Sequence, residues 1–464
     1  LARHRQDRTF SGLSNPELTH SPYDLTDETT GAAAAIVIPK RYMMLVRLKH
    51  LASANAALIR AYLSMVGGSA GRLVISLVYF IAIANTLSIS EFGLFATASA
   101  CGIMLSRLLA FGFVSPLYRI ATVKTRLLGV YTAGFLGGMV LSAPVIALAA
   151  WLTHALIFTD QMALATFAKI IVAEVLCWRI MEIAVIVSYG TNRFGSGSVL
   201  VVVATALKTI AAVLFAWLAD ASLATWGWFY LTANGLAALI AILFFYPRVR
   251  LRWKLALYLR RWVDAVSVAG AEMLFYIQSE LDKVLVLSLG GPETAGIYAI
   301  IMRLVDLTAL PVRAFLTVLT QRLMRTSEML NSLKNRLLLE GVVAAVSTAG
   351  LLGMAGFLWL FPNALGSNVA VAAPLLILVV LVPAFRNQIE YHSELLYATG
   401  RTVVRMLILA SLGAMKALLL AYVLGLNTEV VIWVELLNLV FLVLYLQSAV
   451  LTYRALRSIR KRPI

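Results

Sequence analysis

Apolar residues along this chain come in long runs separated by short polar turns, and the runs recur at nearly even intervals. Six such segments, near 62–84, 92–115, 127–150, 162–188, 197–218 and 224–246, are each long enough to cross a hydrocarbon core of about 30 Å as a helix. Six more follow near 265–288, 295–319, 337–360, 371–396, 402–424 and 430–451. The pattern predicts an all-α polytopic membrane protein of twelve transmembrane helices, in two six-helix lobes over 62–246 and 263–451. Between the lobes, residues 247–262 (PRVRLRWKLALYLRRW) hold six Lys or Arg in sixteen positions and read as a basic cytoplasmic connector. Residues 1–40 are polar and turn-rich, which predicts a disordered cytoplasmic tail. Residues 42–60 mix apolar and basic positions at helical spacing, as an interfacial helix does, so 1–61 form the approach to the first span. A basic cytoplasmic tail closes the chain over 452–464.

Composition sharpens this picture. The chain is 61% hydrophobic and 13% charged, whereas a soluble domain is nearer half apolar and a quarter charged. A net charge of +17 would suggest nucleic acid in a soluble protein, but the placement of the cations gives another reason for it. Of 39 Lys and Arg, 28 fall in the two tails, the connector and the loops on the same side. The six opposite loops, near 85–91, 151–161, 219–223, 289–294, 361–370 and 425–429, hold none. Cationic loops stay on the cytoplasmic side during insertion, so both termini are expected there, and no nucleic-acid partner is expected. Cys101 and Cys177 both lie in apolar runs, with neither a disulfide framework nor metal-ligand spacing, and no cofactor is expected.

The two halves share short motifs in register. EFGLFA from Glu91 opens the second span and TAGIYA from Thr294 the eighth, while YGTNR closes the fourth and YATGR the tenth. Seven residues before each of those tyrosines stand Glu182 and Glu390. Offsets of 203 and 208 residues predict a parallel repeat about an axis along the membrane normal.

Eleven cations remain inside the spans, where each costs a few kcal/mol at a helix centre. Local partners explain some of them. Arg405 and Glu394 are level across the hairpin at 399–400, Arg303 is level with Glu280 and near Asp282 across 290–292, and Arg179 and Glu182 sit three apart on one helical face. These pairs, with Glu390, are expected either to hold helices together or to couple an ion. Arg72, Arg107 and Lys208 in the first half, and Arg313, Arg386 and Lys416 in the second, lack an obvious hairpin partner. They are the candidate substrate-binding residues, because a cationic, water-filled cavity between the lobes would take an anionic cargo. The alternative is that they pair with acids of other spans and serve only packing. His392, between Glu390 and Glu394, reads either as a proton carrier or as a hydrogen-bonded structural histidine. No GxxxxGK sequence is present, so this chain is not expected to hydrolyse ATP, and no catalytic residues are expected.

The run ELDKVLVLSLGGPETAGIYAIIMRLVD (280–306) resembles the seventh-to-eighth-span region of bacterial polysaccharide flippases, the Wzx-type members of the multidrug/oligosaccharidyl-lipid/polysaccharide (MOP) superfamily. LSISEFGLFATASA (87–100) is similar to the corresponding first-half turn. The resemblance implies a MATE-like V of two lobes that opens alternately to either side of the bacterial inner membrane. It implies translocation of an undecaprenyl-pyrophosphate-linked oligosaccharide to the periplasmic face for O-antigen or exopolysaccharide synthesis. Membrane lipid, a polysaccharide polymerase and a chain-length regulator would be its partners. An ion-coupled drug or metabolite antiporter of the same superfamily is the alternative, with cationic cargo and an acidic lumen. A peptidoglycan-precursor flippase would usually carry two further spans. A membrane glycosyltransferase or polymerase would need larger outer loops than the roughly five to eleven residues seen here.

Overall fold

The computed structural model describes residue 71 and residues 74–218, 220–325, 333–426 and 429–457. The predicted N-terminal tail and interfacial helix, and Arg72, lie outside the described residues. Where they are described, the twelve predicted segments fall mainly on helix. In chain order these are α1 Val74–Thr86, α2 Ile89–Ser106, α3 Val114–Val123 and α4 Leu128–Thr153. Next come α5 over 164–190, α6 Phe194–Leu218 and α7 Leu223–Ile240. The second half holds α8 over 255–290, α9 over 292–325, α10 Leu333–Leu360, α11 over 367–398, α12 Thr402–Leu426 and α13 Val430–Arg457. Among the described residues eight helices are long and apolar enough to cross a membrane, and α11, bent by 69°, makes nine. The protein is an all-α polytopic membrane protein. Helix is what these runs must form, because lipid offers no partner for an unpaired backbone N–H or C=O.

Local signals set several boundaries. Ser88 and Glu91 cap α2 reciprocally: the Glu91 N–H donates to Ser88 Oγ and the Ser88 N–H to Glu91 Oε2, both at 3.2 Å. The predicted second span breaks at Ala110, Phe111 and Gly112, all with positive φ. Ser142 Oγ holds the break by accepting the Ala110 N–H at 2.9 Å. The chain then resumes as α3, so Arg119 stands on a helix and not in a loop. The outer loop expected near 289–294 is reduced to a turn of one residue. Helix runs from Leu255 to Arg325 with a single interruption at Gly291 (φ 79°, ψ 177°), a conformation open to glycine. The connector has no regular secondary structure over 247–254 and is helical from Leu255. Helix α13 runs on to Arg457, into the expected tail.

The halves meet where the repeated motifs lie. A Cβ on Gly93 would come within 2.4 Å of the Pro292 carbonyl oxygen and 2.5 Å of the Gly296 nitrogen, and one on Gly296 within 2.0 Å of the Ile89 oxygen. EFGLFA and TAGIYA thus pack on each other, glycine against glycine, and only residues without a Cβ allow that approach. Nearby, Asn85 and Asn368 tie α1 to α11. Asn368 Nδ2 donates to the carbonyls of Ala84 and Leu87 at 2.8 Å, and Asn85 Nδ2 to that of Leu365 at 2.7 Å.

Candidate functional site: a charged cavity between the halves

A cavity of about 350 Å³ lies where α1, α2, α5, α6 and α7 of the first half face α8 and α9 of the second. Three cations line it, Lys208, Lys283 and Arg303, and three acids, Glu174, Glu280 and Asp306. Two of the acids are held by cations: Glu280 by Lys283, and Asp306 by Arg386 at 3.1 Å, with Arg313 3.6 Å away. Glu174 accepts hydrogen bonds from Tyr230 and, at 2.6 Å, from Ser99. It stands in a π-helical stretch of α5, Ala173–Trp178, and wider turns of this kind recur at functional sites. Lys208 lies 3.5 Å above the Trp178 ring, a cation–π contact that holds a charge away from bulk water. Arg303 donates to Ser76 Oγ on α1, from one half to the other.

Of the six cations proposed to bind substrate, Lys208 lines this cavity. Arg107 is turned into a separate cluster, 3.3 Å from Glu182, 4.0 Å from Glu272 and with its guanidinium 3.9 Å from the Tyr276 ring centre. Arg179 completes that cluster, 2.7 Å from Glu182 and 3.2 Å from Glu272. Glu272 and Tyr276 belong to α8, so the cluster joins the halves. Arg313 pairs with Glu390 at 3.2 Å, Arg386 with Asp306, and Lys416 with Asp282 at 2.9 Å. All four of these cations have acid partners on another helix, which no hairpin argument could supply.

Of the three expected local pairs, two are formed. Arg179–Glu182 and Arg405–Glu394 (3.4 Å) are present. Arg303 is not joined to Glu280 or Asp282, because Lys283 takes the first and Lys416 with Tyr298 the second. His392 is fully buried away from the cavity. Its Nε2 faces Glu340 at 3.2 Å, its Nδ1 faces Ser448 at 3.1 Å, and its ring stacks on Tyr445. Tyr445 and Tyr453 also donate to Glu340, so this is a closed polar knot among α10, α11 and α13.

The charges themselves repeat. Arg107 and Arg313, Arg179 and Arg386, Glu182 and Glu390, and Lys208 and Lys416 stand 206, 207, 208 and 208 residues apart. The helices that carry two of these pairs are disturbed at matching places: α5 is π-helical just before Arg179, and α11 bends just before Arg386.

No protein-family model matches the chain, and no curated protein sequence matches it. Solved structures do match its fold. An inward-facing multidrug resistance MATE family transporter of the MOP superfamily aligns over 82% of this chain and 95% of its own, with a TM-score of 0.58 at 11% identity. A MOP superfamily transporter from Pyrococcus furiosus aligns over 88% and 96%, with a TM-score of 0.55 at 12% identity. The lipid II flippase MurJ, in an inward closed conformation, aligns over 86% and 88%, with a TM-score of 0.55 at 13% identity. The chain has the fold of the MOP superfamily transporters.

Proposed function

We propose that this protein carries an undecaprenyl-pyrophosphate-linked oligosaccharide from the cytoplasmic to the periplasmic face of the bacterial inner membrane, by alternating access, for polysaccharide synthesis. The observation that carries the reading is that Lys208 and Arg303 face one inter-half cavity in which Glu280 is held by Lys283 and Asp306 by Arg386. A pyrophosphate entering there would replace lost hydration with charge-assisted hydrogen bonds, with Arg303 offering the planar fork and Lys208 a point charge. Among proteins of this fold, MurJ is described as a lipid II flippase, so a lipid-linked saccharide suits the scaffold.

Glu174 supports a second reading, an ion-coupled antiporter of cationic drugs or metabolites. It lines the cavity and is held by hydroxyl groups, with no cation beside it in the described contacts. Pocket polarity distinguishes proteins of this fold, since that of the Pyrococcus furiosus transporter is described as reversed. The test is transport by purified protein in liposomes, with a fluorescent polyprenyl-diphosphate saccharide in one arm and a cationic dye in the other. Arg303→Gln should reduce saccharide movement at least tenfold. Dye movement that depends on Glu174, with no saccharide movement by the unaltered protein, would establish the antiporter instead.

A further inference from the structure

A second cavity, of about 670 Å³, opens at the end of the molecule expected to face the cytoplasm, between α3 and the first turns of α8. Among the described residues its charged lining is of one sign. Arg119 and Lys124 come from the α3 side and Arg260 and Arg261 from α8, and no acidic side chain is among the described residues that line it. The rim beside the basic side chains is apolar: Ile120, Val123, Leu127, Leu257 and Val268 line it, with Val123 exposed. A soluble anion would have no use for such a rim. A lipid would place its phosphate among the cations and its chains along the apolar side, as amphipathic helices at anionic bilayer surfaces do.

We propose that this groove is a binding site for the phosphate-bearing headgroup of a membrane lipid. Two arginines from α8 facing an arginine and a lysine from the α3 side suit a phosphate or diphosphate with several charged oxygens, which arginine binds through paired N–H donors. The site is separate from the cavity between the halves. Two kinds of lipid share the required chemistry, an anionic phospholipid of the inner leaflet and a polyprenyl diphosphate. The inference does not rest on the proposed cargo, and Arg303→Gln tests that cargo at a different place.

The experiment is equilibrium binding of radiolabelled lipids to the full chain in a neutral detergent, at low and at 0.5 M salt. The probes are phosphatidylglycerol, phosphatidylcholine, undecaprenyl diphosphate and inorganic pyrophosphate. The expected result is binding of the anionic lipids well above phosphatidylcholine, weakened by salt. It should fall at least tenfold in the combined variant Arg119→Gln, Lys124→Gln, Arg260→Gln, Arg261→Gln. Because three of these side chains are exposed, the variant should keep its membrane level, and the all-Lys variant at the three arginines should recover part of the binding. Preference for undecaprenyl diphosphate would support the site as one for polyprenyl lipid, and equal binding of phosphatidylglycerol would support it as one for bilayer lipid. Unchanged binding by the four-Gln variant, or inorganic pyrophosphate binding as tightly as the lipids, would overturn the proposal.

Discussion

The two halves carry the same charges at matching positions and use them differently. In the first half Arg107 and Arg179 share Glu182 and reach Glu272 on α8, across the seam. In the second half Arg313 turns to Glu390 and Arg386 to Asp306, both within that half. The lysines divide in the same way. Lys208 lines the cavity over Trp178, whereas Lys416 is buried against Asp282 and donates to the Gln278 carbonyl at 3.1 Å. Charges at matching positions thus form a seam contact and a cavity wall in one half, and an internal brace in the other. A repeat that stayed symmetric would close both sides of a cavity alike. The proposed alternating access needs contacts on one side that can part, and of the seam contacts the one through Glu272, 40% exposed, is the one that hydration can replace at low cost.

The comparison can be broken most readily at the glutamates. Glu182→Gln removes the shared counter-charge of Arg107 and Arg179, which are 4% and 1% exposed. It should cost about 3–5 kcal/mol and lower the amount of protein in the membrane. Glu390→Gln removes a partner from Arg313, whose side chain is 44% exposed and which keeps Asp306 nearby. Discounted for solvent, it should cost no more than about 1 kcal/mol, and protein level after membrane extraction compares the two. Equal losses would end the distinction between the halves.

A smaller effect sharpens the seam itself. Glu272 is 40% exposed, so Glu272→Gln should leave protein level near normal. Loss of the contact should favour separation of α8 from α2 and α5 by up to about 1 kcal/mol, a severalfold shift in population. Labelling of a single cysteine placed at Ala100, on the cavity wall, reads that shift as faster modification from the side that opens. The smallest effect belongs to Arg405→Ala. The Arg405–Glu394 pair is partly exposed on both sides, and its loss should cost about 0.5–1 kcal/mol with transport retained.

What the chain revealed in advance follows from the range of each interaction. Hydrophobic runs and one-sided cations are local, so helix placement, and the pairs Arg179–Glu182 and Arg405–Glu394, were legible. The break at 110–112 was not, because apolar character continues through it, whereas that at 291 falls in the Gly-Gly-Pro turn expected near 289–294. Partners such as Asp306 for Arg386 or Asp282 for Lys416 depend on which helices become neighbours, which periodicity does not carry. The direction of Arg107, away from the cavity, is set by Glu182, Glu272 and Tyr276 acting together. A signal for the site did lie in the chain. The separations of 206–208 residues that join Arg107 to Arg313, Arg179 to Arg386 and Lys208 to Lys416 were readable beside that of Glu182 and Glu390.

The division of labour is tested most directly on the two lysines. Lys208→Gln and Lys416→Gln should be compared for membrane level and for transport per molecule of a polyprenyl-diphosphate saccharide in liposomes. Lys208→Gln should keep near-normal abundance and lose most transport, because it removes a charge from the cavity wall. Lys416→Gln should lose abundance, because Asp282, 3% exposed, is left buried without its cation, and Asp282→Asn in the same chain should restore much of it. Full transport per molecule by Lys208→Gln, or a Lys416→Gln protein that is abundant and inactive, would contradict the account.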